Sequence, residues 1–129
     1  MSEKQLAPQP TETPPPPLGK IEIAPNAIAT IASQAVMRSY GVVGMAAKNV
    51  VDGIANALTN DPHKGIEVHQ SPDGEVRLDI YVIIEYGTNL NSVARSVANT
   101  VRYNIERLTG LDVRGVTVHV QGLRITSTD

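Results

Sequence analysis

The side chains able to do chemistry are few and scattered. Three histidines, His63, His69 and His119, stand apart in the chain, and imidazole serves both as a metal ligand and as a proton carrier near neutral pH. His69 and His119 fall in strand-like segments that can be neighbours, which would bring two imidazoles together. Neither has a carboxylate at helical spacing, so isolated surface histidines are expected and no metal site is assigned. The chain has no cysteine, which excludes disulfides, thiolate zinc sites and cysteine nucleophiles at once. No serine stands in a Gly-x-Ser-x-Gly turn, and no glycine-rich run leads into Gly-Lys-Ser or Gly-Lys-Thr. Asp79 and Glu85 share one face of an alternating segment with Arg77 close by, the pattern of a surface ion pair. The expectation is no catalytic residue, no cofactor, no small-molecule substrate and hence no enzyme.

One short motif has a binding reading. Gly41-Val42-Val43-Gly44 formally matches the GXXG loop with which KH domains clamp a nucleic-acid backbone. Phosphates must be approached and neutralised, which favours polar or basic side chains between the glycines. Two valines favour burial in a strand instead. A KH-like module for single-stranded nucleic acid is therefore the alternative function, and nucleic acid is not the expected partner.

Bulk properties agree with that ranking. The 129 residues, 41% hydrophobic and 19% charged, suit one soluble domain. A net charge of −2 lacks the electrostatic footprint of a general nucleic-acid binder. The aromatics are four tyrosines without Phe or Trp, so the core must be built from Val, Ile, Leu and Ala. No run approaches the roughly 18 to 20 apolar residues of a membrane span, and the amino terminus lacks a basic-then-apolar signal. A cytoplasmic protein is expected.

The elements that must position these residues are well punctuated. Residues 1–18 hold six of the nine prolines and read as a disordered, polyproline-like tail. Residues 19–123 form the expected domain, and residues 124–129 a frayed end. A helix starts at Pro25 and runs to about Tyr40, with Ile28, Ile31, Ala32, Ala35 and Val36 on one face and Gly41 as its stop. Residues 41–45 are extended. Ala47, Val50, Val51, Ile54 and Leu58 predict a short extra helix closed by Asn60-Asp61-Pro62. Ile66 to His69 and Glu75 to Tyr86 flank Ser71-Pro72-Asp73-Gly74, which predicts a hairpin. Asn89 caps a long helix with a Val93, Val97, Val101, Ile105 and Leu108 stripe, ended by Gly110. Leu111 to Val120 is the last strand, with Gly115 marking a bulge or bend. Strand, helix and strand in succession predict a right-handed crossover with the two strands parallel.

The fold class is thus α+β: a small mixed sheet, made of a hairpin plus a parallel crossover strand, with two main helices on one face and a short extra helix. Two surfaces are candidates for protein contacts. One is the sheet face carrying Tyr81 and Ile83, an apolar spot among polar residues. The other is the helix face with Arg95, Asn99 and Arg102, whose simplest reading is a solvated one that also includes Glu106.

The wording of these segments resembles a family. Gly19-Lys20-Ile21-Glu22-Ile23-Ala24-Pro25, Ile28-Ala29, Ile31-Ala32 and Gly41-Val42-Val43-Gly44-Met45 are similar to the start of the alkaline shock proteins, also called envelope stress response or YloU-like proteins. The second half is similar through Glu85-Tyr86-Gly87, Asn89, Val93-Ala94-Arg95, Thr109-Gly110-Leu111 and Val118-His119-Val120-Gln121-Gly122. The resemblance implies a bacterial, cytoplasmic, non-catalytic scaffold in cell-envelope homeostasis. It implies a homo-oligomer, peripheral at the inner face of the membrane and recruited by an integral membrane anchor protein.

Overall fold

Five aliphatic residues, Val76, Leu78, Ile80, Val82 and Ile84, alternate along one strand and are fully buried. That strand, β3 (Glu75–Glu85), is the centre of the fold. The computed structural model describes residues 19–47 and 62–125. Within them the elements run α1 (Pro25–Met37), β1 (Val42–Met45), a 3-10 turn (Pro62–Gly65), β2 (Ile66–Gln70), β3, α2 (Leu90–Thr109) and β4 (Asp112–Arg124). The predicted extra helix falls almost wholly outside the described residues, as do the proline-rich tail and the last four residues.

β1 and β2 lie in tandem along one edge of β3, both antiparallel to it. β2 pairs with residues 76–80 and β1 with residues 82–84. β4 takes the whole other edge, running parallel to β3 from Glu75↔Asp112 to Glu85↔Arg124. The sheet is mixed and both helices pack on it, so the protein is α+β. The hairpin between β2 and β3 turns on Ser71-Pro72-Asp73-Gly74, where Gly74 has φ 90° and its N–H bonds the Ser71 carbonyl at 3.0 Å.

α1 has Pro at its first position and buries Ile28, Ala29, Ala32, Ala35 and Val36. Its small residues let it pack against both α2 and the sheet. It stops at Met37, earlier than the expected Tyr40, with Arg38 as its last near-helical residue. Gly41 turns the chain three residues later, at φ 89°. There a β-carbon would lie 2.9 Å from Val93 Cγ2, so close approach to α2 and backbone sign both favour glycine.

α2 follows its sequence signals closely. Asn89 accepts the Ser92 N–H at 2.9 Å, and Gly110 closes the helix at φ 77°. Val93, Val97, Val101 and Ile105 are buried, but Leu108 is 57% exposed. Leu108 keeps the angular position of that stripe, so its exposure belongs to its place in the last turn of α2 and not to its side of the helix. β4 extends to Arg124, four residues past the expected Val120. It carries two irregularities, at Arg114 and at Gln121, each leaving one β4 residue without a β3 counterpart.

The GXXG-like segment is a strand. Val42 pairs with Ile84 and Gly44 with Ile83, and the Gly41 carbonyl accepts the Glu85 N–H at 2.8 Å. Backbone groups tied into a ladder cannot cradle a phosphate, which removes the structural basis of the KH-like alternative.

Candidate functional site

Since the even-numbered residues of β3 make the core, its odd-numbered residues Arg77, Asp79 and Tyr81 point to the opposite face. The two flanking strands add to that face in register. β2 sets Glu67 opposite Asp79 and His69 opposite Arg77, while β4 sets Thr117 opposite Asp79 and His119 opposite Tyr81. Asp79 is the meeting point. Its Oδ2 is 3.2 Å from His69 Nε2, and its Oδ1 is 2.9 Å from His119 Nε2. An ionised carboxylate only accepts, so both imidazoles present Nε2–H to it.

These contacts hold the Asp79 carboxyl below its ordinary range. The His119 hydrogen bond is the largest cause and the His69 bond adds to it, while burial opposes both. Glu67 extends the cluster, with Oε1 3.8 Å from His69 Nε2. The His119 ring is stacked on Tyr81 at a centroid distance of 4.3 Å and 8° between planes, which fixes the imidazole that orients Asp79. Beside His69 and Asp79 opens a groove of about 580 Å³, lined also by Arg77, Glu75 and Arg114. Arg114 is hydrogen-bonded to Glu75, which raises the guanidinium pKa above its usual value.

Several expectations change here. The strands of His69 and His119 are not neighbours; β3 lies between them, and the two imidazoles meet through Asp79. The acid expected to pair with Arg77 is instead bound by histidines. Ile83 is 1% exposed, so of the two residues expected to form an apolar spot only Tyr81 keeps partial exposure. Arg95, Asn99 and Arg102 do share an exposed face of α2. Glu106, expected on that solvated side, instead accepts the Val113 N–H at 3.0 Å and ties α2 to the start of β4. His63 lies 2.9 Å from Thr30 Oγ1 of α1 and is not among the groups around Asp79. Glu67 was missed, although the hairpin turn itself sets it opposite Asp79.

The family signal now has its structural frame. A model of the alkaline shock protein 23 family, described by its cell envelope-related function, matches residues 14–125. The chain belongs to the alkaline shock protein 23 family. Its function is therefore cell-envelope related at the level at which the family is described. Among relatives, the Bacillus subtilis protein YloU is 37% identical over 111 residues, spanning 84% of this chain and 92% of YloU. Bacillus subtilis YqhY is 32% identical, over 83% of this chain and 78% of YqhY. The Streptococcus pyogenes protein Spy1614 is 31% identical, over 83% and 89% respectively. All three are described as uncharacterised. Among solved structures, two variants of the MamM CTD align with TM-scores of 0.47 at 10% identity, covering 75% and 81% of this chain and 95% and 100% of theirs. No described helix is long and apolar enough to cross a membrane.

Proposed function

We propose that this member of the alkaline shock protein family is a non-catalytic assembly protein that associates with itself through the outer edge of β4. The carrying observation is the edge itself. β4 has 13 residues and, among the described residues, pairs on one side only. Natural edge strands of this length are usually blunted by Lys, Pro or bulges, because unpaired N–H and C=O groups template pairing with another chain. β4 contains neither Lys nor Pro, and its two bulges bracket a regular run from Gly115 to Val120. Val116 and Val118 are only partly buried and Val120 is 36% exposed, which adds apolar surface beside the free backbone. A second copy offering the same run would pair with it about a twofold axis.

Tyr81 and the stacked His119 flank this edge and belong to the proposed contact. Arg95, Asn99 and Arg102 on α2 form the competing surface. Recruitment to the cytoplasmic face of the membrane by an integral membrane partner completes the reading, and it rests on the family's envelope assignment. Sedimentation of the full chain across a concentration series is the test. Concentration-dependent association that is lost in Val120→Lys and kept in Arg102→Glu is expected. A strict monomer at every concentration, or assembly that survives Val120→Lys, overturns the β4 reading.

A further inference from the structure

We propose that Glu67, His69 and Asp79 form a site for a divalent first-row transition ion on the outer sheet face, with His119 holding the Asp79 ligand in place. One ligand atom from each of the three residues lies within 4.8 Å of the other two. Two of the separations, 3.2 Å from His69 Nε2 to Asp79 Oδ2 and 3.8 Å from His69 Nε2 to Glu67 Oε1, bracket the edge of a coordination tetrahedron. With bonds of about 2.1 Å that edge is about 3.4 Å. An ion seated among them requires small side-chain rotations and no backbone movement, because the β2–β3 register already fixes the three residues side by side.

Charge and donor type agree with a cation. The site brings two carboxylates to one imidazole, and among the residues lining the groove Arg114 is engaged by Glu75. One imidazole with two carboxylates is a set that suits zinc and its neighbours better than calcium or magnesium, which prefer oxygen alone. The remaining coordination positions open onto the groove beside His69 and would be filled by water.

The surroundings have the build of an outer shell. His119 binds the Asp79 oxygen that the ion would not use, and Tyr81 stacks on His119. Such partners orient the ligating oxygen and typically change affinity by roughly 10- to 100-fold when removed. His119 is thus a positioning residue. In the metal-free arrangement His69 Nε2 carries a proton toward Asp79. Coordination takes the Nε2 lone pair, so the proton moves to Nδ1, or to solvent if the ring was cationic, and binding must weaken as pH falls.

The test is calorimetric titration of the chelator-treated full chain with zinc chloride, with far-ultraviolet circular dichroism to confirm folding of each variant. One ion per chain is expected, with affinity falling at least roughly 10-fold in His69→Ala and in Asp79→Asn. His119→Phe should weaken binding by a similar factor while keeping one ion per chain, and His63→Ala should change nothing. Cobalt chloride gives a second readout, since its visible spectrum reports the coordination environment and should change in His69→Ala. No saturable binding tighter than about 100 μM, or binding unchanged in the folded Asp79→Asn variant, overturns the site.

Discussion

The Glu106 carboxylate accepts the Val113 backbone N–H at 3.0 Å, joining the last turn of α2 to the point where β4 begins. The bond sits directly before the Arg114 irregularity, where one β4 residue has no counterpart on β3. A side chain there supplies what the ladder does not.

Removing that acceptor therefore has a defined cost. Glu106→Ala leaves a part-buried N–H unmatched and should destabilise the protein by about 1 to 3 kcal/mol, while Glu106→Gln, which keeps a carbonyl oxygen, should lose less. Urea denaturation of both variants checks the ordering. Equal losses in the two would mean that the hydrogen bond is not what the residue contributes.

Gly41→Ala is expected to cost about 1 to 3 kcal/mol from its left-handed φ alone. The added methyl also meets Val93 Cγ2, and a β-branched side chain in a helix has one strongly preferred rotamer and little freedom to withdraw. Thermal denaturation provides the measurement. A change within the ordinary surface range would show that the α1–β1 turn relaxes freely.

Core and surface leucines should separate cleanly. Leu78→Ala on the central strand is expected to cost about 2 to 5 kcal/mol. Leu108→Ala, in the exposed last turn of α2, should stay within about 0.5 kcal/mol. Comparable losses at the two positions would contradict the exposure of Leu108.

Acid should erase the contribution of Asp79. Its folded carboxyl titrates below the unfolded value of about 3.9. The stabilisation is then complete above that value and disappears as pH falls through the lower folded one. The stability gap between the natural chain and Asp79→Asn should close progressively as pH falls below about 4. A gap that persists unchanged at pH 2.5 would mean that carboxylate charge does not underlie it.

Much of the fold was legible because its signals are local. Asn89, Gly110 and the four-residue valine spacing specify α2 almost to the residue, and Ser71-Pro72-Asp73-Gly74 specifies the hairpin. Gly115 marks the first irregularity of β4, but the exposure of Leu108, the extension of β4 and its second bulge at Gln121 depend on packing between distant segments, for which no local pattern exists. The same division holds for the Asp79 cluster. Glu67 and His69 reach Asp79 through a ten-residue hairpin whose register the turn sets, so that half was readable. His119 arrives from 40 residues away along a parallel strand, and only the β3–β4 register, fixed by how α2 returns the chain, brings it to the other carboxylate oxygen.

The placement of β3 between β4 and the tandem pair β1 and β2 has a consequence for how the molecule opens. Along most of β3, amide protons are locked from one side or the other and can be released only when the sheet itself comes apart, so their exchange with solvent deuterium should report the full unfolding free energy. Among the described residues no strand pairs with the outer edge of β4, so the outward-pointing amides between Gly115 and Val120 lack such protection in a lone chain. Their exchange rates at low and high protein concentration therefore form a residue-by-residue gauge of assembly, read against the β3 amides, which slow only as far as association raises the global stability.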